Sequence, residues 1–139
     1  MKRSTALLIV LLACCEPAGA ADEPIFAPGA KAELLQEKGA GEGPAWHPEW
    51  GLLTSGDGNI NRRDREGKVS VFRQGAGSNG LMFDRQGRLV ICESRQRRVT
   101  RLESDGQVTV LTDRYEGKRY NNPNDLTTDS KSRIYFSEA

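Results

Sequence analysis

From residue 41 onward, apolar and β-branched residues come in runs of four to six, each bounded by Gly, Asp or Asn. That spacing predicts short strands joined by tight turns, because a helix would repeat its apolar positions every three or four residues over a longer stretch. The pattern also repeats. One unit comprises 42–47 (EGPAWH), 51–55 (GLLTS), 61–64 (NRRD) and 66–72 (EGKVSVF), and a second comprises 79–84 (NGLMFD), 87–92 (GRLVIC), 99–103 (VTRLE) and 105–111 (DGQVTVL). A third opens with 124–129 (NDLTTD) and 134–137 (IYFS). Unit starts at 42, 79 and 124 lie 37 and 45 residues apart, close to the roughly 40–50 residues of a four-stranded propeller blade. Asp-x-x-Gly and Asp/Glu-Gly pairs inside each unit predict antiparallel hairpins, since Gly takes the positive φ such turns demand.

The expected fold class is therefore all-β and of propeller type, with about two and a half blades present. A blade cannot bury both faces alone and must stack on its neighbours. A closed ring of four or more blades needs well over roughly 150 residues, so the 139-residue chain reads as the N-terminal portion of a propeller or a truncated reading frame. The rival is a complete small sandwich. A chain that stops inside 134–137 without a final strand argues against it.

The segment ahead of the repeats has a different character. Lys2-Arg3, the apolar run 6–13 and Ala18-Gly19-Ala20 make residues 1–20 a signal peptide, which predicts export to the periplasm or beyond. Glu16 and Pro17 break the run, and a span needs roughly 20 apolar residues, so no transmembrane span is expected. Leu11-Leu12-Ala13-Cys14 also resembles a lipoprotein box, which would instead anchor the chain through a lipid on Cys14. Residues 21–40 form a lead-in with an apolar cluster at Leu34-Leu35, suited to covering the edge of the first sheet, and 41–139 is the propeller domain.

Composition narrows the partners. The chain is 37% hydrophobic and 28% charged, a globular balance, with 20 Lys and Arg against 19 Asp and Glu. Loss of residues 1–20 would leave 18 of each sign, so no field favours nucleic acid. The basic run 95–98 with Arg101 is flanked by Glu93 and Glu103 and lacks interleaved aromatics, which predicts a solvated hairpin rather than a nucleic-acid patch. Cys14 and Cys15 lie in the targeting segment, so Cys92 has no partner for a disulfide and is expected to be a small buried hydrophobe. His47 is the single histidine and reads as a turn residue, while Trp46 and Trp50 read as packing between blades.

Where repeats close around an axis, equivalent positions converge there. Glu42, Asn79 and Asn124 are such positions, each followed by Gly or Asp and then an apolar strand. One carboxylate and two amide oxygens would suit a hard divalent cation, and the same residues would equally suit turn caps between blades. Spacing alone leaves both readings open.

Glu42-Gly43-Pro44, Asn79-Gly80-Leu81 with Asp84-Arg85-Gln86-Gly87-Arg88-Leu89, and Asp113 to Arg119 leading into Asn122-Pro123-Asn124-Asp125 resemble the senescence-marker-protein, gluconolactonase and luciferin-regenerating-enzyme-like family over about residues 40–139. The resemblance implies a six-bladed propeller with one divalent ion in its channel, calcium or alternatively magnesium, zinc or manganese, serving hydrolysis of a small sugar lactone. It maps a metal ligand onto Glu42 and a residue that holds substrate or metal-bound water onto Asn124. Asn122 falls where some members place a substrate-contacting Arg, and Asn79 is in register without an assigned ligand role. The family's remaining ligands, an Asn and an Asp that is also the general base, come from later blades, so the chain holds no catalytic residue and is expected to be inactive by itself. The alternatives are a non-catalytic propeller that binds a carbohydrate or protein partner, and a related hydrolase of other lactones or phosphate esters.

Overall fold

The computed structural model describes residues 25–35 and 41–138. The targeting segment at 1–20, its lipidation alternative at Cys14 and part of the lead-in lie outside the described residues. The chain divides into two compact units, 1–33 and 34–139. In the first, residues 25–33 are exposed and carry no strand or helix; the Ala30 N–H donates to the Ala27 carbonyl at 3.0 Å. No helix among the described residues is long and apolar enough to cross a membrane.

Among its described residues the second unit is all-β apart from one 3₁₀ turn, Ser94–Gln96. Strands β1 (Glu42–His47), β2 (Gly51–Gly56), β3 (Asn59–Arg63) and β4 (Val69–Arg73) form a four-stranded antiparallel sheet in sequence order. Strands β5 (Leu81–Phe83), β6 (Leu89–Glu93), β7 (Arg98–Leu102) and β8 (Val108–Thr112) repeat it. A two-stranded hairpin follows, β9 (Arg114–Tyr115) and β10 (Lys118–Arg119), and then β11 (Pro123–Thr128) and β12 (Ile134–Glu138) pair as the start of a third sheet. These are two propeller blades and the two inner strands of a third.

Four of the turns that join strands within the blades follow one rule. Asp64, Asp84, Glu103 and Asp129 each accept, through the backbone carbonyl, the N–H three residues on, at 3.1, 2.9, 2.9 and 3.0 Å, and each donates its own N–H to the carbonyl four residues on. The residue closing this turn needs a positive φ, which Gly67, Gly87 and Gly106 supply and which Ser132 adopts at +60°. In the second turn burial pushes the Asp84 carboxyl up, but the backbone N–H and guanidinium of Arg88 and the Gln86 N–H more than offset this and hold it below the usual range.

β6 shows why the blades need each other. All five of its residues are buried, and period-2 alternation sends Leu89 and Ile91 into a core with Ala45, Leu53, Ile60, Ala76 and Leu81 of the first and second blades. Val90 and Cys92 point the other way and pack with Val99, Leu126, Ile134 and Phe136 toward the third blade. Trp50 joins the first core, 5.2 Å from Phe72 and 5.7 Å from Phe83, and His47, at the end of β1, stacks on Trp50 and Phe83 at 4.5 and 4.8 Å. Trp46, expected to pack like Trp50, is instead 60% exposed, because neighbouring strand residues face opposite sides and its side of β1 meets no blade here. It shares that side with Leu52, Val69 and Val71.

Glu93 carries the same alternation into charge. It is fully buried, with Oε1 2.6 Å from Arg73 Nη1 at the end of β4 and Oε2 2.5 Å from Arg98 Nε at the start of β7. The first contact is an ion pair without hydrogen-bond alignment and the second is both. The basic run 95–98 is accordingly more than a solvated hairpin: Arg98 neutralises a buried carboxylate and Arg97 donates to the Tyr120 carbonyl, while Arg95 stays exposed.

Two outcomes follow. Ile91→Ala should cost about 2–5 kcal/mol, the usual range for emptying a filled core site, read from urea denaturation. Burial, reinforced by the negative charges of Asp125 and Glu138, pushes the Cys92 thiol up to about 12 from 9.0. The folded thiol should therefore resist alkylation at pH 8 and react once unfolded. Between pH 9 and 12 the unfolded chain binds fewer protons at this site than the folded one, so this group's contribution to stability should be flat below pH 9 and fall as pH rises above it.

Candidate functional site

The three unit heads are equivalent in register. Each stands three residues before a paired position: Glu42 before Ala45↔Leu53, Asn79 before Met82↔Val90, Asn124 before Thr127↔Tyr135. All three lie at the same end of their blades, where the innermost strands begin, together with the turn between β2 and β3 and the 3₁₀ turn after β6. We call this the head end.

Adjacent heads touch through their backbones. The Gly80 N–H donates to the Asn124 carbonyl at 2.7 Å, and the Gly80 carbonyl accepts from the Cys92 N–H at 2.9 Å. A β-carbon at Gly80 would lie 2.8 Å from the Asn124 carbonyl oxygen, and one at Gly43, whose φ is +60°, would lie 2.3 Å from the Asn79 carbonyl oxygen. The glycine after each of the first two heads is thus what lets the next strand approach. Glu42 is exposed, and Asn79, Asn122 and Asn124 are half-buried. The structure brings Glu42, Asn79 and Asn124 into one row on neighbouring inner strands. Asn122 precedes β11 and belongs to a different cluster, in which its N–H and that of Asn121 both donate to Glu138 Oε1, the Asn122 bond measuring 3.1 Å.

A residue that sequence reasoning passed over ties this row together. Ser55 pairs with Glu42 across β1 and β2, is 1% exposed, and donates its hydroxyl to the Asn79 carbonyl at 2.6 Å. With its proton committed there, it accepts from the Ser78 hydroxyl at 2.7 Å. One buried hydroxyl therefore fixes the first head against the second. The sequence signal was a polar residue at the end of the run 51–55, facing the same way as Leu53.

Chemically the row offers hard oxygen donors, one carboxylate and two amides, of the kind that divalent oxygen-seeking cations use. Three heads supply fewer than the six or more oxygens such an ion takes, and among the described residues no three His, Cys, Asp or Glu side chains cluster as a metal site. The donor type fits a divalent ion; the donor number does not complete one. Ser55→Ala should leave the Asn79 carbonyl with one partner fewer and cost about 1–3 kcal/mol, the penalty for an unsatisfied buried group, measured by chemical denaturation.

Comparison with known proteins matches the part of the chain that carries the repeats. The family model described as the SMP-30/Gluconolactonase/LRE-like region matches residues 40–139. A gluconolactonase from Zymomonas mobilis is 29% identical over 115 residues, covering 70% of this chain and 32% of that protein. The solved structure of a gluconolactonase from Xanthomonas campestris is 39% identical, with a TM-score of 0.65 over 70% of this chain and 34% of the other. The X-ray structure of a candidate gluconolactonase is 28% identical with a TM-score of 0.74, over 81% and 41%. Virginiamycin B lyase from Staphylococcus aureus, 16% identical with a TM-score of 0.57, shares the fold alone. The chain spans 32–41% of the length of these gluconolactonase relatives, and its two and a half blades belong to the SMP-30/gluconolactonase/LRE-like family.

Proposed function

We propose that the whole protein carrying these blades hydrolyses the ester bond of a small sugar lactone at a divalent ion on the propeller axis, and that Glu42 is this chain's ligand to that ion. The observation that carries the reading is the row of register-equivalent heads, Glu42, Asn79 and Asn124, held together by backbone contacts in a chain of the gluconolactonase family. Calcium suits the oxygen donors best, with magnesium, zinc or manganese as alternatives. When bound, the ion would polarise the lactone carbonyl and acidify a water.

The chain's own residues supply part of the site. Glu42 contributes negative charge at the head of the first blade. Asn124, half-buried and anchored through its carbonyl to Gly80, presents an uncharged amide suited to sugar hydroxyls or to a water. Asn122 flanks it on the side of the Glu138 carboxylate. The general base and the remaining ion ligands come from the rest of the protein, so these blades alone are inactive on this reading. An exported location, periplasmic, secreted or lipid-anchored at Cys14, goes with it and rests on the targeting segment at 1–20.

The test uses the product of the whole reading frame. Gluconolactone hydrolysis should be abolished by a chelator and restored by calcium, and Glu42→Gln should lower kcat/KM by about 100-fold or more while weakening ion binding in calorimetry. A product that binds the ion and a sugar yet opens no lactone would instead be a non-catalytic binding propeller. Turnover indifferent to chelator and to Glu42→Gln would remove the metal from the mechanism.

A further inference from the structure

The joint between the first and second blades and the joint between the second and third are equivalent in register and differ in what covers them. The step from Thr54 to Asn61 is 7 residues and the equivalent step from Ile91 to Thr100 is 9. The step from Val71 to Met82 is 11 residues and that from Val110 to Thr127 is 17. The eight additional residues of the second period thus lie in two places: the turn at 94–97, where the 3₁₀ turn replaces the two-residue Asp57-Gly58 loop, and the six residues of the β9–β10 hairpin. These two insertions hold each other. Arg97 Nε donates to the Tyr120 carbonyl, and Arg119 Nη2 donates to the Gln96 carbonyl at 2.7 Å. Tyr120 fastens the hairpin base, its hydroxyl 2.8 Å from Thr112 Oγ1.

The insertions close over the second joint and leave the first one open. Pro123, the residue before the head Asn124, is fully buried, and its carbonyl accepts from the Ser94 hydroxyl of the 94–97 turn at 2.5 Å. Ser78 holds the equivalent place before the head Asn79. The shorter loop opposite it bonds the neighbouring residue instead, the Gly58 carbonyl accepting from the Gly77 N–H at 2.9 Å, and Arg95 packs over Gly58 and Gly77 as an outer rim. Ser78 itself stays half-buried at the head end. Both blades that flank it carry all four strands, so the opening belongs to the joint itself.

Counting protons shows what Ser78 presents there. The Ser55 hydroxyl has one proton, and the Asn79 carbonyl 2.6 Å away can only accept it. The 2.7 Å contact between the two serine hydroxyls must then use the proton of Ser78. With that proton turned toward buried Ser55, the lone pairs of Ser78 Oγ point to the open side. Among the described residues this hydroxyl makes no other hydrogen bond. Ser78 Oγ is therefore an oxygen that accepts and cannot donate, and a hydroxyl that already donates is a stronger acceptor. Its place is beside the first two heads: it precedes Asn79 in the chain, and Ser55 is the cross-strand partner of Glu42, about 4.5–5.5 Å away between Cα atoms.

Such an oxygen selects a donor. The oxygens that hold calcium or magnesium are carboxylates, amide or backbone carbonyls and waters, which Glu42 and the two asparagines already resemble and a serine hydroxyl does not. A sugar hydroxyl is the neutral donor that fits.

We propose that Ser78 is a substrate-binding residue of the head-end site, that its Oγ accepts a hydrogen bond from one hydroxyl of the sugar lactone, and that Ser55 fixes the direction of that bond. The proposal rests on the lactonase reading. It has a consequence for specificity: the recognised position of the sugar must donate, so fluorine, which can only accept, is refused there as hydrogen is.

The test compares the whole reading-frame product with Ser78→Ala on gluconolactone and on analogues whose hydroxyls are replaced, one at a time, by hydrogen or by fluorine. At one position both replacements should lower kcat/KM of the unaltered protein by about five- to tenfold, the usual loss for one hydrogen bond, and mainly through KM. Ser78→Ala should lose the same factor on gluconolactone and nothing further on those two analogues, as expected when both changes remove one contact. Calcium affinity in calorimetry should be equal in the two proteins. The proposal is overturned if no position of the sugar refuses both hydrogen and fluorine, if Ser78→Ala keeps its full loss on every analogue, or if the variant binds calcium more weakly, which would make Ser78 an ion ligand. Failure of the unaltered protein to open gluconolactone is a separate result that removes the lactonase reading. Binding of the same analogues followed by saturation-transfer NMR then decides whether Ser78 holds a sugar hydroxyl.

Discussion

Everything at the head end depends on how closely the first strand of one blade can approach the first strand of the next. Two glycines set that distance. At Gly43 and Gly80 a side chain would collide with the carbonyl oxygen of the following head; the Gly80 N–H bonds the Asn124 carbonyl at 2.7 Å, and the Ser55 hydroxyl bonds the Asn79 carbonyl at 2.6 Å. Polar main chain meeting polar main chain at short range is stable only if every donor and acceptor is used. The row of heads is therefore rigid for the same reason that it is narrow.

Farther from the axis the blades are held by different chemistry. Alternating side chains of β6 fill one core on each side, and the alternation ends in Glu93, whose charge is shared between arginines of two blades. Burying a carboxylate is costly without partners and acceptable with two. The fan of strands is thus fixed at three radii, by backbone contacts at the axis, apolar packing in the middle, and an ion cluster near the outer strands at the head end. Each restricts the angle between the first two blades independently.

Much of this was legible beforehand, and what was not has identifiable causes. The strands of both blades appear in the sequence because one face of each is apolar, and the turns because Asp-x-x-Gly recurs. Glu42, Asn79 and Asn124 were found by counting from those strands, and the register bears out their equivalence. The β9–β10 hairpin went unseen because Arg114 to Arg119 has no apolar alternation, although the excess of eight residues was visible as 45 against 37. Glu93 read as a flanking surface charge since nothing local reveals that Arg73, twenty residues earlier, comes to meet it. Trp46 and Trp50 looked alike, but Trp46 lies on the face of β1 that meets no blade, while Trp50, in the turn before β2, packs on Phe72 and Phe83. What the row of heads binds stays a matter of chemistry beyond spacing, because donor type is written in three residues and donor number is not.

The mutual grip of the turn at 94–97 and the hairpin at 114–119 makes them a single module in two pieces. A hairpin moved by itself onto a propeller with a tight two-residue turn after its second strand would lose the Gln96 carbonyl and the Arg97 side chain that hold it, and would hang from its base alone. Exchanging such segments among propellers is therefore a matter of matched pairs: the turn and the hairpin have to travel together to keep the bonds between them.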